Sequence, residues 1–128
     1  MRARYIELFR RMLDPNPRLA DAAYDAVLFD REEAVPDLIE CYQKSPRDAR
    51  TRFFTVQLLG FSSAQAAVPT LIAALRDEDE AVRAEACRSL EDLSAEVAIP
   101  DIERLLADHE ASVREAATDA IQALRATG

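Results

Sequence analysis

The chain has no tryptophan, two glycines, one histidine and two cysteines in 128 residues. With glycine only at Gly60 and Gly128, it has no phosphate-cradling loop and too few tight turns for a sheet-rich fold. His109 stands alone in an acidic turn beside Glu110, so no Ser/His/Asp or Cys/His set and no multi-imidazole metal site can be assembled. Cys41 and Cys87 fall mid-helix in distant segments without further sulfur ligands. They read as reduced, partly buried small residues rather than a disulfide or a zinc site. No apolar run reaches the roughly 18 residues of a membrane span, and Met1-Arg2-Ala3-Arg4-Tyr5 lacks the apolar core of a signal peptide. The expected location is cytoplasmic.

What is present is helix-forming and charged. Apolar residues make up 49% and charged residues 31%, rich in Ala, Leu, Glu and Arg. The net charge of −8 is unevenly placed: residues 1–66 balance, whereas residues 67–128 hold 14 acidic and 6 basic residues. Such a surface keeps the chain in solution, disfavours nucleic acid and anionic membranes, and suits a basic partner. The run Asp77-Glu78-Asp79-Glu80 lacks the glycine and bidentate glutamate of a calcium loop and reads as a charged helix start.

One phrase recurs. Ala34-Val35-Pro36-Asp37-Leu38-Ile39 returns as Ala67-Val68-Pro69-Thr70-Leu71-Ile72 and as Ala98-Ile99-Pro100-Asp101-Ile102, with prolines 33 and 31 residues apart. A period of that length marks stacked helical hairpins. With Pro69 as a ruler, Leu71, Ile72 and Leu75 form one helical stripe, and Val82, Ala86, Leu90 and Leu93 form a second. Pro36 gives Leu38, Ile39 and Tyr42, followed by Thr51. Pro100 gives Ile102, Glu103 and Leu106, followed by Val113, Ala117, Ile121 and Leu124. Setting Ile6 at the proline position puts Leu8, Phe9, Met12 and Leu19 in register for a degenerate first hairpin.

The pattern predicts an all-α fold: an α-solenoid of four antiparallel helical hairpins in one domain, 1–128, with repeats at about 1–31, 32–63, 64–94 and 95–128. First helices are placed near 33–43, 66–76 and 97–107, and second helices near 17–29, 48–60, 79–93 and 110–126. Asn16-Pro17 reads as a cap followed by proline at the first helical position, and Ser62 with Gln65 as a capping box. The turn Lys44-Ser45-Pro46-Arg47-Asp48 is two residues longer than its counterparts.

These residues resemble HEAT-like repeats of the short kind named after the phycobilisome lyases. The likeness rests on Ala-Val-Pro-x-Leu-Ile-x-x-Leu in the first helix and Asp-x-x-x-x-Val-Arg-x-x-Ala in the second, carried by Asp77 to Ala86 and Asp108 to Ala117. It implies that Asp77/Arg83 and Asp108/Arg114, with Arg52 in the same row, form a structural ladder between hairpins. It is nearly silent about activity. Deoxyhypusine hydroxylases, one group of this kind, hold two irons on His-Glu pairs inside the second helices; here those positions read Ala84-Glu85 and Glu115-Ala116. No catalytic residue, metal site or cofactor is therefore expected, and the chain is read as not an enzyme.

The resemblance also implies that the second helices line a concave face. Stepping 100° per residue assigns to that face Asp21, Tyr24 and Asp25, then Phe53, Val56 and Gln57. Cys87, Arg88 and Glu91 follow, then Glu115 and Asp119. The groove would have an apolar middle (Tyr24, Phe53, Val56, Cys87) between acidic ends, unless Phe53, Phe54 and Val56 pack between the first two hairpins instead. The function read from this is a noncatalytic interaction module for a protein or peptide whose basic residues flank apolar anchors. Two alternatives stay open. One is an accessory subunit of a chromophore lyase or similar enzyme; the other is a nucleic-acid binder using Arg47, Arg50, Arg52, Phe53 and Phe54. Ala116, Ala120 and Ala123 offer a smooth flank for a second copy, with the monomer favoured.

Overall fold

Three prolines determine how the first helices begin. Proline has no N–H, so the carbonyl four residues before it lacks its α-helical donor. In each repeat the donor one residue earlier takes over. Val35 N–H reaches Glu32 O, Val68 N–H reaches Gln65 O, and Ile99 N–H reaches Glu96 O. The chain therefore enters two of these helices through 3₁₀ turns, Gln65–Ala67 and Glu96–Ala98.

A computed structural model describes residues 1–44 and 47–127 of the chain. Its helices are α1 (Ala3–Arg11), α2 (Pro17–Phe29), α3 (Val35–Lys44), α4 (Ala49–Phe61), α5 (Val68–Ala74), α6 (Glu80–Asp92), α7 (Ile99–Glu103) and α8 (Ala111–Thr127). α7 continues as the 3₁₀ turn Arg104–Ala107. They pack in sequence as the hairpins α1/α2, α3/α4, α5/α6 and α7/α8, and α4, α6 and α8 lie side by side as an inner layer. This is the all-α solenoid that the proline spacing predicts. No described helix is long and apolar enough to cross a membrane.

The second helices begin on short polar side chains. Asn16 Oδ1 accepts from Arg18 N–H at 3.0 Å with Pro17 opening α2, as its sequence predicts. Asp48 and Asp79 do the same for α4 and α6, each taking two backbone N–H groups. Ser62 and Gln65 make no capping box. Ser62 ends α4, its hydroxyl donating to Leu59 O at 2.7 Å, and Gln65 Nε2 donates to Leu93 O at 3.3 Å. Of the longer turn read between Lys44 and Asp48, Ser45 and Pro46 lie outside the described residues.

The core runs the length of the stack and includes Leu38, Leu71, Ile102, Val82, Leu90, Val113 and Leu124, all 2% exposed or less. In α1 the buried stripe is Tyr5, Phe9 and Met12, while Ile6 and Leu19 remain 44% and 51% exposed. Ile6 is exposed as Pro36, Pro69 and Pro100 are at the same position, and Phe9 and Met12 are buried as that register places them. Leu19 departs, staying exposed where Val82 and Val113 are buried, because α2 packs chiefly on α1 and α4 alone. The alanine flank of α8 also differs from its reading: Ala116 and Ala120 are buried, and so offer nothing to a second copy.

A ladder of ion pairs, buried at two of its three rungs, ties hairpin to hairpin. Arg52 Nε and Nη2 donate to Asp77 at 2.9 and 3.2 Å, and Arg83 Nε and Nη2 donate to Asp108 at 2.9 and 3.1 Å. Arg2 completes the row on Asp37, its backbone N–H donating at 2.8 Å and Nη2 at 2.7 Å. The motif residues thus link neighbouring hairpins, as the resemblance implies, though not as pairs within one motif. Each carboxylate takes the arginine of the preceding hairpin, while Arg83 and Arg114 donate to the backbone carbonyls of Asp77 and Asp108.

Candidate functional site

Neighbouring second helices run parallel, and this creates the concave face. Tyr24, midway along α2, donates its hydroxyl to Gln57 Oε1 in the middle of α4 at 2.6 Å. Ser89 of α6 donates to Val56 O of α4 at 3.0 Å. Parallel alignment puts the C-terminal ends of α2, α4 and α6 on one rim, where the helix dipoles add negative potential.

A trough of about 700 Å³ opens along α4, α6 and α8, lined by Gln57, Phe61, Glu85, Arg88, Glu91, Asp92, Ser112, Glu115, Ala116 and Asp119. Five of its side chains are carboxylates and one is a cation. Arg88 is engaged by Glu85 at 3.2 Å within α6. Among the described residues no ion pair reaches Glu91, Asp92, Glu115 or Asp119. Glu91 and Asp92 also occupy the last turn of α6, which carries no basic residue, so they add to the dipole rather than offset it. The electrostatic cost is visible. Partial burial, then the nearby Asp92 and Asp119, raise the pKa of Glu91 above the ordinary glutamate value, and burial raises that of Asp92.

A second hollow of about 460 Å³ adjoins the first at Gln57. Its lining includes Met12, Pro15, Pro17, Asp21, Tyr24, Arg50 and Phe54. Tyr24 and Phe54 meet edge to face at 5.7 Å, and Phe53 meets Phe54 likewise at 5.9 Å. Burial pushes the Tyr24 hydroxyl up to about 12, so it stays protonated and donates to Gln57.

The acidic and polar assignments from sequence come together here. Gln57, Arg88, Glu91, Glu115 and Asp119 line the trough, and Asp21 and Tyr24 line the hollow. Of the apolar middle only Tyr24 does so. Val56 and Cys87 are 0% exposed and touch no partner surface, and Phe53 is half-buried against the core. Asp25 is exposed but lines neither cavity. The reason is that α6 contacts α4, α5 and α8 at once, leaving open only a narrow strip around Glu85, Arg88, Glu91 and Asp92. Sequence reasoning missed Glu85, Asp92 and Phe61. The polar spacing 85, 88, 92 was the available signal for Glu85 and Asp92.

The chemistry on this face is electrostatic. His109 is exposed in its turn, 3.9 and 3.8 Å from Asp108 and Glu110. Among the described residues no group of three or more His, Cys, Asp or Glu side chains is arranged to hold a metal ion. Both cysteines are buried, and burial pushes the Cys87 thiol up to about 12, far from a thiolate nucleophile.

Comparison with known proteins places this geometry. A model of the HEAT-repeat family matches residues 35–122. Among solved structures, human deoxyhypusine hydroxylase in complex with glycerol superposes with a TM-score of 0.70 at 26% identity, over 95% of this chain and 43% of that one. The chain thus spans less than half the length of that protein. No curated protein matches it.

Proposed function

The chain belongs to the HEAT-repeat family, and from that premise we propose that it is a noncatalytic interaction module holding a basic segment of a partner protein in the trough between α4, α6 and α8. HEAT repeats generally serve as scaffolds for protein interaction. One observation carries the finer reading. Five carboxylates face a single arginine across a cleft of about 700 Å³, and four of the five have no counter-ion within the described residues. Lysine or arginine side chains entering there would relieve a repulsion that the free protein sustains. The same carboxylates oppose phosphate, so the nucleic-acid alternative loses support. An accessory role on a chromophore enzyme draws none from the two buried thiols.

The test is titration of a fluorescein-labelled lysine-rich peptide by fluorescence anisotropy. Glu91→Gln/Asp119→Asn is expected to weaken binding about tenfold, the loss of two charge contacts near 0.7 kcal/mol each, with unchanged helicity. Equal binding by wild type and variant rejects the trough.

Acid is expected to release the peptide before it loosens the fold. Glu91 and Asp92 hold protons to higher pH than ordinary carboxylates, so the attraction fades as pH falls through that raised range. Asp37 and Asp108 lie on the other side. Burial opposes their ionisation, but hydrogen bonds from Arg2, and from Arg83 with Glu110 N–H, outweigh it and hold both below the usual carboxylate range. With folded pKa values depressed, their stabilisation is complete above the unfolded values and is lost only as pH falls through the lowered ones. Anisotropy and circular dichroism recorded across one acid titration check the order. Simultaneous loss contradicts it.

A further inference from the structure

Two exposed aromatic side chains end neighbouring helices, and one of them borders the trough. Phe29 closes α2 and Phe61 closes α4, both 13-residue helices, at 87% and 44% exposure. Neither ring stacks on another aromatic among the described residues. Their exposure is not fraying, because the two helix ends are stitched together. Arg31 donates from Nη1 to Leu28 O at 3.1 Å and from Nε to Phe61 O at 2.8 Å, and Glu32 accepts from Ser63 N–H at 2.7 Å. In the third helix, α6, the matching last position is Asp92. Along one rim the parallel helices therefore present aromatic, aromatic and acidic side chains in turn, and Phe61 itself lines the trough.

We propose that Phe29 and Phe61 form an aromatic step that seats one apolar side chain of the same basic partner segment, beside the carboxylates that take its lysines or arginines. This rests on the trough reading above and adds the partner's second requirement: a bulky apolar residue next to its cations. Charge selects that occupant over a second copy, since the chain carries −8 overall, all of it within residues 67–128 that supply most of the trough. Two phenyl rings carried on helix ends whose backbones are stitched together give an aromatic anchor, the usual composition of an interface hot spot.

The experiment uses two labelled lysine-rich nonapeptides differing only in a central leucine or alanine. Wild type is expected to bind the leucine peptide about tenfold more tightly, in line with burial of one aliphatic side chain. Phe29→Ala/Phe61→Ala is expected to remove that preference while retaining the weaker binding of the alanine peptide. Phe29→Ala alone, at the more exposed position, is expected to reduce the preference severalfold with helicity unchanged. If wild type binds both peptides equally and Glu91→Gln/Asp119→Asn weakens both, the step is rejected and the trough stands. If neither peptide binds wild type, the trough reading fails and the step with it. A dimer in sedimentation that Phe29→Ala dissolves would also overturn the proposal, because the step would then serve self-association.

Discussion

Gly60→Ala is expected to lower the melting temperature by roughly 5–10 °C, with a loss of about 2 kcal/mol. A Cβ built on Gly60 would lie 2.4 Å from Ser89 Oγ, 2.6 Å from its Cβ and 2.8 Å from its Cα. The last of these is backbone, so no rotamer change relieves the overlap. α4 and α6 must move apart, and the Ser89 hydroxyl must stretch from or leave Val56 O. Alanine's better helix propensity returns close to 1 kcal/mol, which is why the net figure is not larger. Ser89→Ala leaves its own Cβ in the way and is expected not to rescue; Ser89→Gly is expected to rescue in part. Thermal melts followed by circular dichroism distinguish these cases. A Gly60→Ala protein as stable as wild type would mean that the two helices are not in such close contact.

Asp77→Ala is expected to cost about 3 kcal/mol or more, the usual consequence of removing one member of a buried ion pair. The carboxylate accepts from Arg52 Nε and Nη2, from the Tyr42 hydroxyl at 2.8 Å and from Asp79 N–H at 2.9 Å. Four donors lose their acceptor at once, in a place where both charged side chains are less than a tenth exposed. Asp77→Asn keeps an acceptor and is expected to cost less. Asp101→Ala supplies the contrast. Its partner Arg104 is 63% exposed and 3.8 Å away, and removing such a surface pair is expected to change stability by under about 0.5 kcal/mol. Urea unfolding of the three variants checks the ranking. Because the Arg52–Asp77 rung joins the second hairpin to the third, the Asp77→Ala transition is also expected to broaden. Equal midpoints for Asp77→Ala and Asp101→Ala would remove the ladder from the account of stability.

The fold was legible because its signals are local and repeated. Pro36, Pro69 and Pro100 each mark a helix start by the same missing donor, and Val82 and Val113 mark the same buried turn twice. The first hairpin lacks that proline; its Phe9 and Met12 still fall in register, but Leu19 is exposed where Val82 and Val113 are buried. Ser62 and Gln65 matched a capping pattern by spacing alone, yet Ser62 belongs to the end of the helix before. On the concave face the charged positions Arg88, Glu91, Glu115 and Asp119 were readable, since charges resist full burial. The apolar positions Val56 and Cys87 were not. Both obey the 100° step, but the number of neighbours around α4 and α6 decides their burial, and a single helix's periodicity does not contain that number. Phe29 and Phe61 were passed over because an aromatic at a helix end is read as core until its neighbours are known.

Every rung of the ladder joins an arginine to a carboxylate further along the chain: Arg2 to Asp37, Arg52 to Asp77, Arg83 to Asp108. The last arginine of the row, Arg114, reaches back to the carbonyl of Asp108. Assembly on the ribosome would therefore always find the cationic half of each clasp already made when its acidic half emerges. Each new turn can lock onto the layer beneath it without waiting for the rest of the chain.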